Sequence, residues 1–145
     1  MITVSNLSKN YGNVKAVESI SFELKDGEVV GFLGANGAGK TTTLKMITGY
    51  LVPTNGEIKV NGLDIVENTS EIQEMIGYLP ELNPLYTEMR VYDYLEFLGS
   101  IRNTKGSDFK QALSRVVDKC GLSGVVHKVI ADCSKGYKQR IGLAA

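Results

Sequence analysis

The sequence predicts an α/β protein with a β-rich first part, one strand–glycine loop–helix unit and a mainly helical insert. Three observations predict it. The segment ISFEL (20–24) alternates apolar and polar residues, as a half-buried strand does. The run GFLGANGAGKTTTLK (31–45) joins an apolar segment, a glycine-rich loop and a helical pattern. After residue 90, apolar residues recur at helical spacing in two successive stripes.

The strands are expected in the first 80 residues. After ISFEL and an Asp-Gly turn, EVVGFLG (28–34) is a continuous apolar run, typical of a strand covered on both faces. PTNGEIKVNG (53–62) places a short strand between two Asn-Gly turns. IGYLP (76–80) is a further short apolar run, which we interpret as a strand ended by its proline.

Four helices are expected, over KTTTLKMIT (40–48), over NTSEIQEMI (68–76) and at the two later stripes. Their predicted inward residues are, in chain order, Leu44 and Ile47; Ile72, Met75 and Ile76; Val91, Tyr94, Leu95, Leu98 and Ile101; and Phe109, Leu113, Val116, Val117 and Cys120. Gly121 is expected to close the last of these helices. The final segment, CSKGYKQRIGLAA (133–145), predicts a loop entering another helix.

Composition narrows the function classes. The chain has 145 residues, which suits one domain, and its 16 basic and 16 acidic residues leave no net charge. This balance argues against nucleic acid as a partner, and no apolar run approaches the roughly 20 residues of a membrane span. Cys120, Cys133 and His127 are too few and too widely spaced for a structural zinc site, so we expect packing cysteines and a surface histidine.

The strongest motif is a phosphate-binding loop of the Walker A type, G-x-x-x-x-G-K-[ST]. Its residues are Gly34, Ala35, Asn36, Gly37, Ala38, Gly39, Lys40 and Thr41, with Thr42 next in the helix. Glycines let the backbone curl so that N–H groups point at phosphate oxygens, and the helix N-terminus adds positive potential. Lys40 can reach the β- and γ-phosphates, and the Thr41 hydroxyl suits Mg²⁺. A dinucleotide-binding loop is disfavoured because G-x-G-x-x-G is lacking.

The residues around this loop resemble the nucleotide-binding domain of ABC transporters, over the whole chain. Tyr11 lies where that family places an aromatic residue that stacks on adenine, with Val17 beneath the sugar. IGYLPE resembles the family's Q-loop, but Glu81 replaces the glutamine that ligates Mg²⁺. The resemblance therefore implies ATP and Mg²⁺ as ligands, with Thr41 and Glu81 at the metal. A Glu81 side chain that points into solvent is the other interpretation.

CSKGYKQR resembles the family's signature LSGGQxQR. The matching residues are Ser134, Gly136, Gln139 and Arg140, and the departures are Cys133, Lys135 and Tyr137. In the family, this segment opens a helix that faces the γ-phosphate of ATP held by a second subunit. The resemblance therefore implies that Ser134, Lys135, Gly136 and Tyr137 act across a dimer. A plain surface helix start is the alternative.

The resemblance implies the ATP-binding subunit of a transporter, most similar to bacterial exporter-type subunits of the multidrug and gliding-motility kind. Expected partners are a transmembrane permease, docked on residues 90–121, and a second nucleotide-binding domain in a homodimer or heterodimer. The expected location is peripheral, on the cytoplasmic face of the cell membrane. A soluble ABC-type ATPase of DNA repair or translation is the alternative, disfavoured because long insertions and tandem domains are lacking.

The expected organisation is a β-rich and P-loop core (1–80), a Q-loop with a helical insert (81–133) and a signature segment (134–145). No apolar run in the 145 residues ends in Asp-Glu, as the family's Walker B strand does, and His127 precedes the signature, so it is not the switch histidine. We therefore expect no catalytic carboxylate here, a chain truncated before the Walker B strand, and nucleotide binding by these 145 residues with negligible hydrolysis.

Overall fold

A computed structural model describes residues 1–81 and 83–145. The chain forms two compact units, Met1–Tyr78 and Leu79–Ala145. The first unit contains the sheet and the glycine-rich loop, and the second is helical.

The first unit contains a four-stranded antiparallel sheet. Its strands are β1 (Ile2–Tyr11), β2 (Val14–Leu24), β3 (Asn55–Val60) and β4 (Leu63–Asp64), in the order β2-β1-β3-β4. Val4 of β1 lies opposite Phe22 on one side and Ile58 on the other, which sets the register. The predicted strands at 20–24 and 53–62 are thereby confirmed.

Two helices cover this sheet, α1 (Lys40–Ile47) and α2 (Thr69–Met75). The core consists of Val4, Leu7, Val17, Met46, Ile47, Ile58, Val60, Ile65 and Ile72. Ile47 and Ile72 point inward as predicted, but Leu44 and Met75 are 41% and 48% exposed, so those predictions were wrong. On α1, the inward face is centred on Thr43, Met46 and Ile47 instead, because helical spacing then leaves Leu44 at its edge.

Two predicted strands are not formed. EVVGFLG (28–34) and IGYLP (76–80) have no strand structure, and Val29 and Leu33 are almost completely exposed. An apolar run becomes a strand only when another strand accepts and donates its ladder hydrogen bonds. Within residues 1–81 and 83–145, no strand lies beside either segment. The prediction relied on hydrophobicity alone and could not test for a pairing partner.

The second unit contains α3 (Val91–Ile101), α4 (Gly106–Lys119) and α5 (Lys135–Ala144), with a 3₁₀ turn at Ile130–Asp132. Its core consists of Val91, Tyr94, Leu95, Leu122, Val125, Ile130, Cys133 and Ile141. Partly buried residues of α4 pack against this core, so both predicted stripes are confirmed except at Ile101, which is 61% exposed. None of the helices in the described part of the chain is long and apolar enough to span a bilayer.

The end of α4 follows the sequence prediction. Gly121 has a φ of +61°, and the Leu122 N–H donates to the Val117 carbonyl at 2.8 Å, as in a glycine-terminated helix. Cys133 is buried and Cys120 half-buried, both as free thiols, and His127 is exposed. The cysteines are therefore packing residues and the histidine a surface residue, as expected.

Candidate functional site

The loop before α1 is curled by glycines in left-handed conformations. Gly37 and Gly39 have φ values of +83° and +82°, which residues with a Cβ rarely adopt. Between them, the Ala38 N–H donates to the Ala35 carbonyl at 3.2 Å and closes a turn. The sequence motif therefore corresponds to a compact backbone loop that leads directly into a helix N-terminus.

The Lys40 side chain folds back over this loop. Its ammonium group donates to the carbonyls of Gly34 and Ala35, both at 2.7 Å. The positive charge therefore lies against the concave loop, beside the N-terminal end of α1, where the first backbone N–H groups lack intrahelical partners. This combination of one cation with the unpaired N–H groups of a helix N-terminus suits a polyanion such as a triphosphate.

Two hydrogen bonds from Thr43 hold the first turn of α1. Thr43, which is 1% exposed, donates its hydroxyl proton to the Gly39 carbonyl at 3.0 Å, and its N–H donates to the same oxygen at 2.8 Å.

Thr41 is exposed in this turn and Thr42 is half-buried. The described residues contain no cluster of three or more His, Cys, Asp and Glu that could hold a metal. A Thr41 hydroxyl beside phosphate oxygens and water fits Mg²⁺, which keeps several waters and needs few protein ligands.

The loop packs closely on strand β2. A Cβ placed on Gly39 would lie 2.3 Å from the Ala16 carbonyl oxygen and 2.9 Å from Cγ2 of Val17. The structure thus brings Val17, a predicted nucleotide-contacting residue, against the P-loop. Tyr11 lies at the end of β1, opposite Val14 in the same hairpin, and its side chain is 51% exposed. An exposed ring at a strand end is available for stacking.

In the second unit, Ser134 is the N-cap of α5. Its hydroxyl oxygen accepts a long hydrogen bond, 3.4 Å, from the Tyr137 N–H. Lys135 and Gly136 are exposed in the first turn, and no atom lies within 4 Å of the position where a Gly136 Cβ would be. The predicted signature segment is therefore an accessible helix N-terminus.

Arg140 joins this helix to the end of α4, a role that motif matching did not reveal. Its guanidinium donates to the carbonyls of Cys120 and Gly121 at 3.3 and 3.0 Å, and lies 4.1 Å from the centre of the Tyr137 ring. A cation at a helix C-terminus is favourable, and the aromatic face adds cation–π attraction. Tyr137, a departure from the family pattern, thus gains a structural explanation.

Replacing Arg140 by methionine is expected to lower the free energy of unfolding by about 1–2 kcal/mol, because two carbonyl bonds and the helix-end charge are lost from an exposed site. Arg115→Met, which removes an exposed arginine from α4, serves as the control and is expected to change stability by less than about 0.5 kcal/mol. Urea denaturation of both variants measures this. Equal effects of the two changes would contradict the capping role.

Glu81 lines a cavity of the second unit together with part of the signature segment, but not with Ser134 or Tyr137. Its volume is about 650 Å³, and its lining includes Glu81, Asn83, Lys135, Gly136, Gln139 and Arg140. Asn83 was not predicted: its Nδ2 is buried without a hydrogen-bond partner and lies 1.5 Å from where a Gly142 Cβ would be. Gly142 therefore permits Asn83 to pack directly on α5. A lone Asn in a loop gave no sequence signal for this contact.

A family model described as "ABC transporter" matches residues 17–145. The probable multidrug ABC transporter ATP-binding protein YbhF of Escherichia coli is 34% identical over 144 residues, which are 99% of this chain and 25% of that protein. The bacitracin transport ATP-binding protein BcrA of Bacillus licheniformis is 35% identical, covering 99% of this chain and 46% of that protein. The chain thus spans about a quarter to a half of these relatives.

Solved structures of ABC transporter ATP-binding proteins also resemble this chain. A structure described as an ATP binding subunit of an ABC transporter superposes with a TM-score of 0.83 at 28% identity, covering 99% of this chain and 60% of that one. The cbiO1 protein of Clostridium perfringens, described as part of the transporter complex cbiONQ, has a TM-score of 0.83 at 27% identity, with 99% and 59% covered. The α/β fold of a P-loop nucleotide-binding domain is confirmed.

Proposed function

The chain belongs to the ABC transporter family, and on this premise we propose that it is the ATP-binding part of a subunit that couples ATP binding and hydrolysis to transport by a membrane partner. The observation that carries the proposal is the Lys40 ammonium group held 2.7 Å from two carbonyls of a curled glycine loop at a helix N-terminus. Few sites other than polyphosphate sites combine these features.

Each part of the nucleotide has a proposed partner in the first unit. Lys40 exchanges its two carbonyl partners for β- and γ-phosphate oxygens, while the loop N–H groups donate to the remaining oxygens. Thr41 offers its hydroxyl to Mg²⁺, which neutralises phosphate charge when bound. Val17 is 6% exposed and packs in the core, so only the edge of its side chain beside Gly39 is proposed to lie near the sugar. Tyr11 stacks on the base, a contact worth about 1–3 kcal/mol.

The second unit supplies the proposed contacts to a second subunit. Ser134, Lys135 and Gly136 form an exposed helix N-terminus with a lysine in its first turn, which suits the γ-phosphate of ATP bound by another copy or a related domain. Tyr137 lies in the same turn, stacked on Arg140. Glu81 remains a proposed Mg²⁺ ligand because its carboxylate oxygens are hard ligands. Its exposure is what the solvent-facing alternative expects.

The membrane partner is proposed from the family and from the surface of the second unit. Within residues 90–121, the large apolar side chains of Phe97 and Ile101 are exposed, which suits docking of a permease. The subunit is proposed to sit peripherally on the cytoplasmic face of the membrane. Transport of bacitracin is stated for a relative, and the molecule transported by this protein is chosen by the permease.

A pull-down tests this function. The full-length protein is tagged, extracted from its native cells in mild detergent and captured with and without MgATP. We expect a polytopic membrane protein, identified by mass spectrometry, to co-purify in near-stoichiometric amount. The same tag on the Lys40→Ala variant controls for nucleotide dependence, and the tag alone controls for detergent artefacts. Ribosomes or DNA-repair proteins in place of a permease would contradict transport.

A further inference from the structure

Lys9, which belongs to no recognised motif, is held against the proposed base-stacking residue. Its ammonium group donates to the Val52 carbonyl at 2.8 Å and lies 5.5 Å from the centre of the Tyr11 ring. Lys9 is half-buried, and it takes part in none of the ion pairs formed by residues 1–81 and 83–145. The Lys9 ammonium group therefore interacts with one carbonyl oxygen and with one aromatic face.

The position of Lys9 connects it with the rest of the proposed site. In the β1–β2 register, Lys9 lies opposite Val17, and Val17 contacts the P-loop at Gly39. The hydrogen bond to the Val52 carbonyl holds the ammonium group near one side of the Tyr11 ring. The ring nevertheless keeps half of its surface exposed, which leaves room for a base.

We propose that Lys9 is a positioning residue for the nucleotide base and acts through Tyr11. The proposal rests on the function proposed above. Two physical effects follow from a cation over one face of the ring. It restricts the ring's rotation, so less conformational entropy is lost when a base binds. It also draws electron density toward itself, which makes the opposite face more attractive to an electron-rich purine.

The test separates the contribution of the base to binding from that of the phosphates. Binding of MgATP and of inorganic tripolyphosphate is titrated on the full chain, on Lys9→Met and on Lys9→Arg. We expect Lys9→Met to weaken ATP binding about two- to fivefold, the range of an exposed cation–π contact, and to leave tripolyphosphate binding unchanged. Lys9→Arg is expected to restore ATP affinity, because a guanidinium also binds an aromatic face.

Two controls complete the test. Lys15→Met removes an exposed lysine of the same hairpin, one that pairs with Glu18, and is expected to leave both affinities unchanged. In a Tyr11→Ala background, the effect of Lys9→Met on ATP is expected to disappear, because the residue through which it acts is absent. Thermal unfolding of each variant verifies that the affinities are measured on folded protein.

Three outcomes would overturn the inference. An equal loss for ATP and tripolyphosphate would mean that Lys9 binds phosphate directly. An undiminished loss in the Tyr11→Ala background would mean that Lys9 does not act through the ring. An ATP affinity unaffected by Lys9→Met would exclude the role altogether. If the unmodified protein binds neither ligand, the proposed function itself fails, and this result is distinct from the other three.

Discussion

Replacing Lys40 by alanine is expected to weaken MgATP binding by roughly 10- to 150-fold, the equivalent of one charge-assisted hydrogen-bonding group at about 1.5–3 kcal/mol. Lys40 is the side-chain cation that the structure places on the glycine loop, within 2.7 Å of the Gly34 and Ala35 carbonyls. Its removal leaves the backbone N–H groups as donors but removes the charge that balances the phosphates. Isothermal titration calorimetry with MgATP measures the change.

Lys45→Ala is the matched control for this experiment. Lys45 lies on the same helix, is exposed, and is in the last turn rather than the first. Both variants remove one positive charge from α1, so a long-range electrostatic effect would appear in both. We expect Lys45→Ala to change the affinity by less than about threefold, as suits an exposed and screened charge. Equal affinities of the Lys40→Ala variant and the unmodified protein would remove the basis of the nucleotide site.

Replacing Gly39 by alanine is expected to lower the free energy of unfolding by about 2–5 kcal/mol. Of this, about 1–2 kcal/mol is the cost of a left-handed backbone with a Cβ, since Gly39 has a φ of +82°. A further 1–3 kcal/mol, roughly, comes from overpacking, because the new Cβ would lie 2.3 Å from the Ala16 carbonyl oxygen. Relief requires that the loop separate from β2. Urea denaturation monitored by circular dichroism measures the loss.

Gly37→Ala separates the two contributions. Gly37 has nearly the same φ, +83°, but no atom lies within 4 Å of its prospective Cβ. We therefore expect only the backbone cost of about 1–2 kcal/mol for Gly37→Ala. The difference between the two variants reports the contact of the loop with β2. If both variants lose the same stability, the close approach of Gly39 to Ala16 is not present in solution.

The parts of the fold that local patterns determine were predictable. Helical spacing located α3 and α4, and the glycine at position 121 located the end of α4, because these signals depend on residues within one or two turns. The segment 28–34 was predicted wrongly as a strand, since its pairing depends on residues distant in sequence. Leu44 was wrongly predicted to point inward. The sequence located the helix, but tertiary packing sets which face of the helix is buried.

The same distinction applies to the site. The P-loop was predictable because its function lies in eight consecutive residues and in the backbone conformation that they require. Lys9 was not, because the group that fixes its ammonium, the Val52 carbonyl, lies 43 residues further along the chain. Arg140 was predicted only as a motif match, since its partners Cys120 and Gly121 lie 20 and 19 residues earlier in the chain.

The hydrogen bonds between Arg140 and the end of α4 connect two helices of the second unit directly. Along the backbone, α4 and α5 are separated by residues 120–134, a path with several turns that could absorb a displacement. From the second turn of α5, the guanidinium donates to the carbonyls of Cys120 and Gly121, the two residues that directly follow α4. A displacement of the end of α4 is therefore expected to reach α5 through this side chain as well as through the connecting residues 120–134.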